Sequence, residues 1–281
     1  MSRHRVGRWA AGLAGAFAVW LFGVWPPPVW WRSHWPRETA MMREAPATRP
    51  PGPPPALHPV PLAAVSPLLQ RMIIIGEDSR FHTHHGIDFT EIGDALGVGQ
   101  HPSVWATIKA AWRRRDRLRG ASTITQQLAK NLYLSPSRNP LRKLKEAATA
   151  VRLELALPKD RIMELYVNSV EWGPGIWGVD QASRDYFGVP PAALTEEEAA
   201  ELAATLPHPR TSNPVFHPAQ TLARRDLILA RYRGYSVTIP PDTGLVDTLV
   251  IPVLPPAVLD SIPVVIPADS AKDSTDSVHQ P

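Results

Sequence analysis

Ile73-Ile74-Ile75-Gly76-Glu77-Asp78-Ser79-Arg80-Phe81 is the stretch around which the chain is organised. Three isoleucines run directly into two adjacent carboxylates. An apolar run of this kind belongs in a core, where Glu and Asp are rarely found unless paired or put to use. The junction places acids at the edge of that core, where desolvation can raise a pKa towards neutral. Glu77 is therefore a candidate catalytic base. The competing reading, which the stretch alone favours, has Glu77 and Asp78 merely capping the end of a strand or helix.

The chain has 281 residues, enough for one large domain or two small ones, and its hydrophobic content of 44% is ample for a core. It has no Cys, so neither a disulfide framework nor a thiolate metal site is available. The net charge of +4 hides an asymmetry: residues 235–281 carry about −5 and the rest about +9. A basic body of this kind suits an anionic partner. Of the 32 Pro, 21 fall in 26–67 or 235–281, which confines the compact domain to about 66–234. The 235–281 tail, rich in Pro and Asp, reads as a disordered segment with short extended pieces.

Residues 1–8 hold Arg3, Arg5 and Arg8, and no charge follows until after Trp31. The helical part of that run, 9–25, is at the short end of what spans a bilayer. Trp25, Trp30, Trp31 and Trp35 suit an aromatic interface. The expectation is a transmembrane anchor and interface over 9–31, with residues 1–8 in the cytoplasm and the body outside. A Pro-rich stalk over 32–65 follows. A cleaved leader is disfavoured because Trp and Pro, not small residues, follow the apolar run.

Within the domain, His82, His84 and His85 match no helical metal-ligand spacing. Asp88-Phe89-Thr90-Glu91 is a capping box for a helix to about Leu96. Residues 97–119 combine Gly and Pro with a basic cluster that can meet lipid headgroups. Gly120 to Leu132 places Ile124, Leu128 and Leu132 on one buried stripe and Thr123, Gln126, Gln127 and Lys130 on a polar one. Ser122-Thr123 opens that helix, where backbone N–H groups favour an anion. A helix over 141–157 has Leu144, Ala148, Val151 and Leu155 as its expected core stripe, with Arg142, Lys143 and Glu146 on another face. Helices are also expected over 159–172, up to Gly188, over 195–206 and over 218–233, with a tight turn at 173–178.

Five blocks in this order resemble the peptidoglycan glycosyltransferase domain of bacterial cell-wall synthases, the penicillin-binding protein family, in its membrane-anchored monofunctional form. They are Glu77-Asp78-x-x-Phe81-x-x-His84-x-Gly86, then Gly120-x-Ser122-Thr123-Ile124-Thr125-Gln126-Gln127-x-x-Lys130-Asn131, then Arg142-Lys143-x-x-Glu146. Lys159-x-Arg161-Ile162-x-Glu164-x-Tyr166-x-Asn168 and Gly178 through Tyr186-Phe187-Gly188 complete the set. The resemblance covers about 66–234. Its departures, at Val167, Trp177, Gln181 and Ser183, remove no catalytic group. No Ser-x-x-Lys occurs, so the transpeptidase of bifunctional relatives is not expected.

The resemblance implies a mainly α fold, a lysozyme-like helical lobe with a smaller membrane-facing lobe around 97–119, and one transmembrane helix before it. It implies a reaction in which the growing chain passes from its polyprenyl diphosphate to the sugar 4-hydroxyl of lipid II, with inversion. Glu77 takes the hydroxyl proton. Glu146 works near the diphosphate, with Lys130, Arg138, Arg142 and Lys143 as neutralising cations. Ser122, Thr123, Gln126, Gln127 and Asn131 bind sugar and phosphate. Asp78, Phe81, His84, Gly86 and Asn168 support the site. Glu146 either orients the cations or holds a divalent cation, Mg or Mn. The implied setting is the cytoplasmic membrane with the catalytic domain in the periplasm. Implied partners are lipid II, the membrane and other cell-wall synthesis or division proteins. Nucleic acid is excluded by the anchor. A lysozyme-like hydrolase and a non-enzymatic anchored scaffold are the rivals. Hydrolysis of neutral glycan gives no use for the cations around Glu146.

Overall fold

The computed structural model describes residues 3–44, 56–96, 122–137 and 139–240. Helix accounts for most of them. In chain order they form α1 (Arg3–Phe22), α2 (Ala40–Arg43), α3 (Pro67–Glu77), α4 (Phe89–Leu96), α5 (Ile124–Tyr133), α6 (Pro140–Ala156) and α7 (Lys159–Ser169). A short hairpin, β1 (Glu171–Gly173) and β2 (Ile176–Trp177), leads into α8 (Val179–Phe187), α9 (Glu196–Thr205) and α10 (Pro218–Tyr232). The expected mainly α architecture is met. The expected membrane-facing lobe at 97–119 and the 241–281 part of the tail lie outside the described residues.

The isoleucine run belongs to α3. Pro67 starts this helix, where its missing N–H costs nothing. Leu69, Met72 and Ile73, three and four apart, are fully buried. Ile74 and Ile75 pack against the same core from its edge. The helix stops at Glu77, and Asp78 leaves it with φ −162° and ψ 74°. α9 and α10 both pack on α3. Gly76 permits the close approach of α10: a Cβ there would lie 3.1 Å from Ile228 Cδ1.

α5 packs against α6, α7 and α2. Its Ile124, Leu128 and Leu132 are buried as the four-residue spacing requires. In α6 the expected stripe is overturned. Leu144 and Leu155 are exposed, and Glu146, Thr149, Ala150 and Leu153 form the buried face. That face packs closely: Gly86, with φ +91°, lies so near α6 that a Cβ there would be 2.9 Å from the Ala150 backbone. The approach is to the α6 backbone at Ala150 and Val151, and Leu153 shares the buried face while Leu144 and Leu155 point outward. Gly188 caps α8 in the left-handed conformation, as expected.

The N-terminal part differs from its expected form. α1 ends at Phe22, and its first turns hold Arg3, Arg5 and Arg8. The uncharged part, Trp9–Phe22, is about 14 residues, or ~21 Å at the helical rise, against a hydrocarbon core of ~30 Å. Among the described residues, no helix is long and apolar enough to cross a membrane. Beyond it, residues 28–44 are folded onto the body, where an interface and extended stalk were expected. Trp31 is in the core cluster, and its indole N–H donates to the Tyr133 hydroxyl at 2.6 Å. Trp35 stacks under Arg161, 4.2 Å from its guanidinium carbon. α2 buries Ala40 and Met42 against α5. Trp31 and Trp35 dock because their large rings gain from burial on the body, whereas Trp25 and Trp30 stay exposed.

Candidate active site

Glu77, at the last turn of α3, faces a cleft of about 1410 Å³. Ser122, Thr123, Gln127, Lys130, Arg142, Lys143 and Glu146 line the same cleft. The acid side chain of Glu77 is only 8% exposed. One carboxylate oxygen accepts from Gln127 Nε2 at 2.9 Å, and the other lies 3.3 Å from Arg224 Nη2. The Gln127 carbonyl in turn accepts from the Tyr166 hydroxyl at 2.9 Å. Burial, together with the charges of Glu77 and Asp78, pushes the Tyr166 phenol well above its ordinary pKa. Tyr166 therefore stays a donor, and the Gln127 amide can present only its N–H to Glu77.

Glu146 is the second acid, 2% exposed on the inward face of α6. Arg142 and Lys143, one turn before it, donate to its two oxygens. Lys143 also donates to Ser122 Oγ at 2.7 Å. A buried carboxylate held by two cations is paired, so desolvation does not leave a lone charge. The triad presents a net positive patch to the cleft. Both oxygens of Glu146 are taken by cations, and no group of three carboxylate or imidazole ligands exists among the described residues. This donor set does not fit a divalent cation at Glu146.

Asp78 has partners of its own. It accepts from His84 Nε2 at 2.9 Å and from the Ile124 backbone N–H at 2.9 Å. Gly86 N–H donates to His84 Nδ1, which leaves the Nε2 proton facing Asp78. The anion at the start of α5 is thus the protein's own Asp78. Thr123 and Gln126 satisfy two more backbone groups there through a reciprocal capping box. Thr123 Oγ donates to the Gly86 carbonyl at 2.7 Å, and the Lys159 ammonium to the His84 carbonyl at 2.8 Å. The expected anion site at this helix start is therefore filled from within.

Of the expected site residues, Gln126 and Asn131 are buried and do not line the cleft. Asn168 pins Val60 through both its N–H and its carbonyl. Phe81 is a core residue beneath Lys159. Arg138 lies outside the described residues. Three features were not foreseen. Arg224 reaches Glu77 from α10, and its Nη2 also donates to the Gly76 carbonyl at 2.7 Å. Arg80 holds Asp88 at 2.7 Å and Glu91 at 2.9 Å on the cleft rim, while Asp88 Oδ1 accepts from the Glu91 N–H at 2.9 Å, the cap expected at the start of α4. Residues 235–240 run along the cleft wall. Arg224 follows Gly76 and Glu77 by about 150 residues, and no local spacing signals such a pair.

Residues 54–233 match the family model described as Transglycosylase. The chain belongs to the transglycosylase family. It is 38% identical over 232 residues to a biosynthetic peptidoglycan transglycosylase of Chromobacterium violaceum, covering 80% of this chain and 94% of that protein. The protein of the same name from Azoarcus sp. is 39% identical over 234 residues, with the same coverage. That from Rhodospirillum centenum is 42% identical over 181 residues, covering 61% of this chain and 71% of its own length. In this transglycosylase the family match opens before α3 and closes at the end of α10, so it encloses both acids and Arg224.

Proposed function

We propose that this transglycosylase is a peptidoglycan glycosyltransferase that polymerises lipid II into glycan strands during cell-wall synthesis. Glu77 takes the proton from the 4-hydroxyl of the incoming sugar as that oxygen attacks the anomeric carbon of the growing chain. The polyprenyl diphosphate leaves from the opposite face, so the link inverts from α to β. A diphosphate is a weak base, and its departure needs cations rather than a strong acid. Arg142 and Lys143, held by Glu146, and Lys130 supply them. Gln127 keeps the Glu77 carboxylate aimed, and Ser122 keeps Lys143 in place. Asp78, His84, Gly86, Phe81 and Asn168 hold the frame, which we read as a lysozyme-like helical lobe.

The observation that carries this reading is that one cleft holds two acids in different settings: Glu77, held by Gln127 and Arg224, and Glu146, held by Arg142 and Lys143. Purified wild-type protein and Glu77→Gln, given lipid II, test it. Expected is glycan polymer from the wild type and a loss of about 10²–10⁴-fold in the variant, with an unchanged melting temperature. Polymer at the wild-type rate from Glu77→Gln removes Glu77 as the base.

We also propose that α1 attaches the enzyme to the cytoplasmic membrane, with its arginines inside and the catalytic body outside. Trp9, Leu13, Phe17, Val19 and Trp20 on α1 are exposed, and Trp25 after it is 86% exposed. Arg3, Arg5 and Arg8 precede them. Carbonate extraction of membranes tests this: the full chain stays in the pellet, and release into the supernatant contradicts a spanning helix.

A further inference from the structure

Tyr235–Pro240 lie just beyond the family match, which ends at residue 233. All six residues line the cleft that holds Glu77. They form an irregular strap, neither helix nor strand, rather than another turn of α10. The strap is fixed at both ends: Tyr235 N–H donates to the Ala230 carbonyl at 2.9 Å, and Arg224 Nη1 donates to the Pro240 carbonyl at 3.0 Å. Between these points the side chains alternate. Tyr235, Val237 and Ile239 are half-buried, and Ile239 packs against the core. Ser236 and Thr238 are exposed. The strap opens on a tight turn centred on Ser236, with the Val237 N–H donating to the Tyr235 carbonyl at 3.0 Å, and the exposed Ser236 and Thr238 both line the cleft.

The chemistry of that outer edge is specific. It carries hydroxyls, each able to donate and accept, and no charge. The cations gathered at Glu146 suit an anionic group; the strap does not. An uncharged, hydroxyl-bearing ligand is what such a rail recognises, with Tyr235 adding an aromatic face at its start. The strap also leaves the cleft open: about 1410 Å³ remains, more than a ligand pocket of ~300–1,000 Å³. It is a wall and not a plug. Arg224 ties it to the reaction centre, since the same guanidinium holds the Pro240 carbonyl, the Gly76 carbonyl and Glu77.

We infer that Tyr235–Pro240 form a saccharide-binding wall that holds the uncharged glycan in register with Glu77. This deepens the proposed function and rests on it. The test uses full-length protein and a lipid-free peptidoglycan oligosaccharide, with affinity read by titration calorimetry and no turnover needed. Ser236→Ala with Thr238→Ala removes both hydroxyls. Thr238→Glu puts a bulky charge on the exposed edge. Expected are affinities weaker by about fivefold for the double variant and at least about tenfold for Thr238→Glu, at unchanged melting temperature. Affinities within twofold of wild type for both variants overturn the inference, as does a wild type that does not bind the oligosaccharide. Faster polymerisation by either variant also overturns it, because it marks the strap as self-blocking. A wild type that binds oligosaccharide through the strap but polymerises no lipid II supports the wall and sinks only the polymerase reading.

Discussion

A single phenol decides how the amide beside Glu77 is turned. Tyr166 is fully buried and keeps its proton, so Gln127 must offer its carbonyl to Tyr166 and its N–H to Glu77. Tyr166→Phe keeps the ring in the core and removes only this constraint. The expected result is a fall in kcat of about five- to tenfold with KM unchanged, and a stability loss of about 1 kcal/mol. A changed KM with unchanged kcat would place Gln127 on the substrate instead. At this scale, legibility in the sequence follows chain distance. Glu146 with Arg142 and Lys143 is a local helical pair and was readable from spacing. Arg224 was not, because its partner lies across the core on α3. Gln127 was read as a substrate ligand, and only its contacts reveal that it faces the other acid.

Elements were easier to read than their faces. The capping box at Thr195 and Glu198 starts α9 as its residues predict, with both reciprocal bonds formed. The buried stripe of α5 follows from leucine and isoleucine spacing alone. In α6 the apolar stripe misled, because the inward face carries Glu146, paired with Arg142 and Lys143, beside Thr149, Ala150 and Leu153, and it meets the Gly86 turn closely. That approach gives a test. Gly86→Ala adds a left-handed strain of about 1–2 kcal/mol and a clash with the Ala150 backbone. The expected loss is more than about 2 kcal/mol, a drop of at least about 4 °C in melting temperature for a domain of this size. A melting temperature within about 1 °C of wild type would mean that α6 moves freely over this turn.

Across the whole molecule, buried carboxylates set opposing pH dependences. Burial alone raises Asp88, but the Arg80 hydrogen bond, the Glu91 N–H and the Arg80 charge outweigh it, and its net shift is downward. Its contribution is present above the ordinary carboxylate value and is lost as pH falls through the lowered one. Burial raises Glu171 and Glu201 in spite of Arg210 and Arg225. Their contribution is greatest below the ordinary Glu value and is lost as pH rises through the raised one. The melting-temperature gap between wild type and Asp88→Asn should therefore be widest near neutral pH and close below about pH 4. Wild type should lose ground to Glu171→Gln as pH rises from about 4 to about 7. A gap that stays constant over this range contradicts the assignment for that residue. The docked run after α1 has a mechanical consequence. Trp31 is bolted to Tyr133, and Arg161 holds the carbonyls of Trp31 and His34 at 2.8 and 2.7 Å. Five residues, Gly23–Pro27, separate α1 from the start of that docked run at the buried Pro28, a reach of ~17 Å at full extension. With α1 in a bilayer, the body is not a float on a long leash. It rides at a nearly fixed height, free to drift sideways over the lipid but not to rise from it, and the length of this joint sets the depth at which the cleft meets a lipid-borne sugar.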